Sequence, residues 1–298
     1  MNDEKRNTLI NEYNNLLREY MRIPQEQINR WVKDLIFSQT RFTSEVIVNY
    51  HCDGLFRART HNRLDGSDKT LFTCESQFWN PPAEICKLGR CNDVNESLFY
   101  CSIELSTSII ETKPIKGEFI TVAKFQIKNP EKYNGARVRL IGVKTLSKLY
   151  PIKDVLGEDY ERDAEGLELD ETLDELFHKR ISPETEKLYR LSVAVTKSML
   201  TTLYDREQQV YVEMHGVLYP SIERNRKHFN MVFRPNHVRY HYAIGELRTF
   251  EVIENNDTII ILKERRIGKL KPTIRSDPFD YFGISWKNSN DEIITINK

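Results

Sequence analysis

The sequence has no excess of either charge: 44 Lys and Arg residues balance 44 Asp and Glu. A dedicated nucleic-acid binder usually carries a basic surplus, so direct nucleic-acid binding is not expected. There is no long apolar run either. The longest purely aliphatic stretch, Ile259 to Leu262, falls far short of the ~20 residues that a membrane-spanning helix needs. The opening residues, MNDEKRNTLINEY, are charged and lack the apolar core of a secretory signal. A soluble, cytoplasmic protein with no membrane partner is the expectation. Cysteines are few and odd in number, at positions 52, 74, 86, 91 and 101, which is unlike a disulfide scaffold. Cys86 and Cys91 are separated by four residues, and even with His51 and His61 nearby this spacing fits no standard zinc finger. Reduced thiols and no bound metal are expected. The seven histidines show no metal-ligand spacing. GxGxxG, GxxxxGK[ST], HExxH and GxSxG are all missing, which removes the nucleotide, metalloprotease and serine-hydrolase readings that a motif alone can carry.

What is present is ample for a folded core. A chain of 298 residues buries roughly three quarters of its unfolded surface without staples. An aromatic content of 10% argues against wholesale disorder. Leu9, Ile10, Tyr13, Leu16, Leu17 and Tyr20 recur at helical spacing, Pro24 interrupts, and Ile28, Trp31, Val32, Leu35 and Ile36 form a second apolar stripe. Both helices are amphipathic; they pack on their own core or offer a surface for self-association. Short strands follow at 46–50 and 55–59, then a loop-rich stretch over 60–97 and a strand from Ser97 to Cys101. Ser102 reads as the N-cap of a short helix ending near Glu111, stopped by Pro114. Between Glu118 and Lys128 alternation sets Phe119, Thr121, Ala123 and Phe125 on one face and Ile120 and Val122 on the other.

The second half is more uneven. Gly157 to Leu176 holds ten acids against one base and reads as a solvated insertion, about 157–180. Ser182-Pro183-Glu184 opens a helix with Leu188, Leu191, Val195 and Met199 as its stripe. Strands are expected at 210–219 and 229–233, and a hairpin at 247–263 turning at Asn255-Asn256-Asp257. The tail beyond Ile267 is polar and weakly patterned, and Arg224, Arg226, Lys227, Arg234, Arg239, Arg265 and Arg266 make the last third basic. The order of elements predicts an α+β protein with a largely antiparallel core. It divides into a helical lead (1–45), a central domain (46–240) and a C-terminal hairpin and tail (241–298).

Three segments point to chemistry. They are Leu55-Phe-Arg57-Ala-Arg59; Gly89-Arg90-Cys-Asn92 followed by Ser97-Leu-Phe-Tyr100-Cys-Ser102 and Ser108-Ile-Ile-Glu111; and Gly216-Val-Leu-Tyr-Pro-Ser221 followed by Phe229-Asn-Met-Val-Phe-Arg-Pro235. In this order, over roughly residues 50 to 240, they resemble the RES domain family, named for an arginine, a glutamate and a serine. Arg57, Glu111 and Ser221 match those three. Family members often have glycine where this chain has Asn95 and alanine where it has Ser108. The resemblance implies a fold related to ADP-ribosyltransferases, with NAD as substrate rather than bound cofactor. It implies cleavage of the nicotinamide–ribose bond by hydrolysis or phosphorolysis, and often a toxin role with an Xre-like antitoxin as partner.

The residue types suit that chemistry. Nicotinamide is already an activated leaving group, and its departure leaves oxocarbenium character on the ribose. A carboxylate such as Glu111 stabilises that charge. Guanidinium forks, here Arg57, Arg90 and, two residues along the strand, Arg59, match pyrophosphate oxygens. Tyr100 is placed to stack on nicotinamide, and Asn92 and Ser221 supply hydrogen bonds. Ser221 is expected to position substrate rather than attack it, because no His–acid pair is evident to activate it. Two other readings stay open: an ADP-ribosyltransferase that modifies a macromolecule, and a non-catalytic RES-like interaction module.

Overall fold

The computed structural model describes residues 23–38, 48–50, 54–61, 71–142, 164–178, 189–205, 209–223, 228–271 and 282–298. The helix expected over 9–20 and the Ser182-Pro183-Glu184 helix start lie outside them. The helices are α1 (Gln25–Ser38), α2 (Leu105–Ile110), α3 (Ala164–His178), α4 (Tyr189–Met199) and α5 (Pro235–His241). The first seven strands are β1 (Val48–Tyr50), β2 (Leu55–Thr60), β3 (Phe99–Ser102), β4 (Phe119–Ile127), β5 (Ala136–Leu140), β6 (Leu203–Asp205) and β7 (Val210–Val212). They are followed by β8 (Gly216–Pro220), β9 (Phe229–Phe233), β10 (Tyr242–Asn255), β11 (Ile259–Lys271), β12 (Gly283–Asn288) and β13 (Ile293–Asn297). The protein is mixed α and β, with its strands mostly antiparallel. Among the described residues no helix is long and apolar enough to cross a membrane.

The chain forms two compact units, each built from three separated stretches. Unit 1 is Met1–Tyr50, Ala83–Glu96 and Ala136–Pro220; unit 2 is His51–Pro82, Ser97–Gly135 and Ser221–Lys298. The division does not follow the sequence boundaries expected near 45 and 240, because strands distant in sequence pair with one another. Tyr242 to Glu251 of β10 pair along β4, so the expected C-terminal hairpin is part of the unit 2 sheet.

In unit 1, α1 packs against α4, with Ile28 and Val32 buried. Gln25 and Arg190 clamp the contact: Gln25 Nε2 donates to the Arg190 carbonyl at 3.0 Å and Arg190 Nε donates to Gln25 Oε1 at 2.9 Å. Ile28 and Val32 of α1 are therefore engaged within their own chain. β1 runs antiparallel to β5, β5 runs parallel to β8, and β6 and β7 form a separate antiparallel pair.

The acidic stretch corrects the sequence reading. Its α3 segment is not a solvated face. Asp170, Leu173, Asp174 and Phe177 repeat at helical spacing and all are buried, while Glu171 and Glu175 are exposed. The count of acids concealed an ordinary apolar stripe with two aspartates set into it. Asp170 Oδ1 accepts the backbone N–H of Gly142 at 3.0 Å. Gly142 holds a φ of +78°, and a Cβ there would lie 2.7 Å from Pro220. Asp170→Ala leaves that buried N–H without its acceptor, and chemical denaturation is expected to show a loss of about 1–3 kcal/mol.

Unit 2 is a sheet in the order β9-β3-β2-β4-β10-β11-β12, with β13 also pairing β11, and every pairing within it is antiparallel. β12 and β13 occupy the tail that the sequence pattern left unassigned. Register sorts its side chains. Phe56 lies opposite Ser102, and Ser102 opposite Asn230. With Ala58 and Val122, Phe56 takes the face on which α2 packs, where Ile109, Ile110, Ile120, Val122, Phe250 and Val252 form the core. Leu55, Arg57 and Arg59 take the opposite face. There Trp79, Phe99 and Phe125 close against one another, with Trp79–Phe125 and Phe99–Phe125 ring centroids both 5.0 Å apart. The alternation expected for Phe119 to Phe125 holds along β4.

Candidate functional site

Glu111 stands one residue beyond α2, as its C-cap with φ −62° and ψ −22°. Its backbone N–H donates to the Thr107 carbonyl at 3.1 Å, so helical geometry fixes the Cα–Cβ direction. Ser221 begins the last stretch of unit 2 and donates its N–H to the His228 carbonyl at 2.8 Å. That bond ties Ser221 to the residue just before β9, and the serine meets Asn230 at the same carboxylate oxygen.

The three side chains converge. Ser221 Oγ donates to Glu111 Oε1 at 2.5 Å, and Asn230 Nδ2 donates to the same oxygen at 2.6 Å. Behind them Ser102 Oγ donates to Asn230 Oδ1 at 2.6 Å. A carboxylate only accepts, so the Asn230 amide is oriented with its nitrogen to Glu111 and its oxygen to Ser102. Ser221, Ser102 and Asn230 are buried, while Glu111 is half-buried. Both donors meet one oxygen; among the described residues Oε2 takes no donor. The network thus locks the rotamer and presents a pre-oriented anionic oxygen. Such an arrangement can stabilise a positive charge or accept from a hydroxyl without reorganising.

Tyr100 lies two residues before Ser102 on β3 and opposite Val232, which puts it on the Glu111 side of the sheet, half-buried. Arg57 lies on the other side. Its Nη1 donates to the Tyr100 carbonyl at 2.6 Å, and its guanidinium carbon sits 5.4 Å from the Phe99 ring centroid. Arg59 shares that side: its Nη1 donates to the Gln77 carbonyl and its guanidinium lies 5.6 Å from the Phe72 ring centroid. Burial pushes the Arg59 pKa below its ordinary value. The structure brings Glu111, Ser221 and Tyr100 to one face of the sheet and sets Arg57 and Arg59 on the reverse.

Arg90 and Asn92 belong to unit 1. Arg90 Nη1 donates to the Phe177 carbonyl, its guanidinium lies 5.5 Å from the Tyr189 ring centroid, and its own carbonyl accepts from Ser192 Oγ at 2.6 Å. Asn92 Nδ2 donates to the carbonyls of Lys87 and Asp93 at 2.9 and 2.8 Å. Both residues organise the loop in which Asn95 takes a φ of 60°, a left-handed conformation that asparagine and glycine tolerate best.

Two members of the cluster, Asn230 and Ser102, were not singled out by the sequence reading. Asn230 did carry a signal: it is the one polar residue in a five-residue strand that is buried throughout, and a buried amide needs partners. Ser102 was read as a helix cap, but Glu104 occupies the N-cap and Ser102 ends β3. Cys74, Cys86, Cys91 and Cys101 are reduced thiols, and the last three are buried. Among the described residues no group of three or more His, Cys, Asp and Glu is arranged to hold a metal. The chain matches no protein-family model and no curated protein, which leaves the reading of this site to its own geometry.

Proposed function

We propose that this protein degrades NAD by breaking the nicotinamide–ribose bond. The observation that carries the proposal is the Glu111 carboxylate, held through Oε1 by Ser221 and Asn230 while Oε2 takes no donor among the described residues. Nicotinamide leaves as a neutral base, taking the C–N electron pair, and positive charge develops on the ribose. Glu111 stabilises that charge at fixed distance, so its contribution grows toward the transition state. Tyr100, on the same face, stacks on the nicotinamide ring. Arg57 is a positioning residue: its bond to the Tyr100 carbonyl holds the strand that carries Tyr100 and Ser102. Arg59, Arg90 and Asn92 are engaged by protein carbonyls and carry no step. A toxin role, with an Xre-like antitoxin as partner, belongs to the same proposal and rests on the RES-like series of residues.

The test is incubation of purified protein with NAD, with and without phosphate, with the products separated by mass. Nicotinamide with ADP-ribose, or with phosphorylated ADP-ribose when phosphate is present, supports the proposal. Intact NAD overturns it. A stable ADP-ribosyl adduct on a macromolecule with no free product would instead make the protein a transferase.

Ser221→Ala removes one of the two donors to Oε1 while Asn230 keeps the other. A hydrogen bond to a charged group contributes about 1.5–3 kcal/mol. The expected result is a kcat lower by about ten- to a hundredfold with KM for NAD little changed. An unchanged kcat would show that Asn230 alone orients the carboxylate.

A further inference from the structure

β12 and β13 lie end to end along one edge of β11, and they present that edge differently. β12 is covered at its start: Ile284 donates its N–H to the Thr73 carbonyl at 2.8 Å, and Glu75 donates its own to the Phe282 carbonyl at 2.9 Å. It also carries Lys287, and lysine on an edge strand discourages further pairing. β13 has neither protection. Its sequence, Ile293-Ile-Thr-Ile-Asn297, holds no lysine or proline, and its ladder with β11 runs without a bulge. Among the described residues β11 is its one strand partner. Two bonds fix the direction of its backbone groups. The Glu292 carbonyl accepts the Glu264 N–H at 2.8 Å, and Lys298 donates its N–H to the Thr258 carbonyl at 2.9 Å. In an antiparallel ladder alternate residues point their polar groups the same way, so the even-numbered residues from 292 to 298 face β11. The N–H and C=O of Ile293 and Thr295 therefore point to the outer edge. The Ile293 side chain is 58% exposed and Thr295 is exposed, whereas Ile294 and Ile296 pack on the core beneath α2.

We propose that the outer edge of β13 pairs with β13 of a second copy of this chain, antiparallel and two-fold symmetric about Thr295. The strand is complementary to itself in that register. Thr295 meets Thr295 of the second copy, and the two exchange N–H···O bonds. Ile294 falls opposite Ile296 of the second copy, on the face that carries the α2 core, so apolar side chains meet apolar ones. Glu292 falls opposite Lys298 of the second copy, a pair of opposite charges; Lys298 Nζ also donates to the Asn256 carbonyl. Centring the pair on Ile294 instead sets Glu292 against Ile296, and centring it on Ile296 sets Ile294 against Lys298. Each sets a charge against an apolar side chain. The contact is the same patch on both copies and uses each edge once, so it closes at a dimer. The inference stands apart from the proposed cleavage of NAD.

The experiment is sedimentation equilibrium of the full chain over a range of micromolar concentrations, for wild type and for Thr295→Pro, Thr295→Lys and Thr295→Glu. Wild type is expected to move reversibly from the 35.2 kDa monomer to a dimer as concentration rises. Thr295→Pro removes an N–H that points away from β11, a position where an edge strand tolerates proline. It should abolish the dimer while its melting temperature stays near that of wild type. Thr295→Lys and Thr295→Glu keep every bond of the β11 ladder and decide the question should the proline variant melt early. Each sets two like charges face to face, and dimerisation should weaken at least about tenfold. Mixing the lysine and glutamate variants should restore a dimer, a result that requires residue 295 to face its own counterpart. A wild type that stays monomeric throughout overturns the inference. So does a dimer that survives all three substitutions, or a mixture of the two charged variants that stays monomeric.

Discussion

Glu111→Gln is expected to lower NAD turnover by about 10²–10³-fold while the melting temperature stays within the range of wild type. The amide is the same size and can still accept from Ser221 and Asn230 through its oxygen, so the local packing survives. What disappears is the negative charge that the proposed cleavage sets against the ribose. A group that acts only on developing charge affects kcat and kcat/KM together, and KM for NAD should move little. Expression of wild type but not of the variant should slow growth if the cleavage is toxic to cells. Equal turnover by Glu111→Gln and wild type would remove Glu111 from the chemistry. A fall in melting temperature alongside the fall in rate would point instead to a carboxylate that mainly holds the Ser221 turn in place.

How far this arrangement could be read in advance varied from element to element. β9 spans the residues expected for it, and the two faces of β4 follow the alternation of its sequence, with the ladder to β2 keeping that register. The RES-like series of segments names Glu111 and Ser221 together with Arg57, and of these three Glu111 and Ser221 are hydrogen-bonded to one another. Separation in sequence does not encode it: Ser221 and Glu111 are 110 positions apart and meet because β9 and β3 pair. The side of the sheet taken by Arg57 was not legible. It depends on register, with Arg57 opposite Ala123 and Phe56 opposite Ser102. A shift of one residue would reverse it. The α3 stripe was hidden by acids on the remaining faces, and β12 and β13 by their exposure, since strands at the edge of a sheet need little apolar pattern. Asn256 shows a different limit. Its Oδ1 accepts from the N–H groups of Thr258 and Ile259 at 3.0 and 2.9 Å, so the expected turn is present. The strands it joins, however, run to Tyr242 and Lys271, well beyond the hairpin expected at 247–263.

The largest effect on stability is expected at Phe99. Its side chain is fully buried in β3. Its ring meets Phe125 at 5.0 Å and Trp79 at 6.2 Å, and the Arg57 guanidinium lies 5.4 Å from its centroid. Truncation to alanine leaves a cavity among groups that the sheet holds apart, and rigid surroundings relax little. Phe99→Ala is expected to cost about 3–5 kcal/mol in denaturant unfolding. Phe99→Leu keeps part of the volume and should cost less. The consequence for the site follows from the strand itself. Tyr100 and Ser102 project from β3 to the Glu111 face, and Ser102 fixes the Asn230 amide that in turn holds the carboxylate. Arg57, without the ring beneath it, holds the Tyr100 carbonyl less firmly. Turnover by the fraction of Phe99→Ala that remains folded should therefore fall as well, measured below its unfolding transition. A variant that lost stability yet kept full turnover would show that the site depends on the helix face alone, with the aromatic layer behind it serving only to hold the sheet.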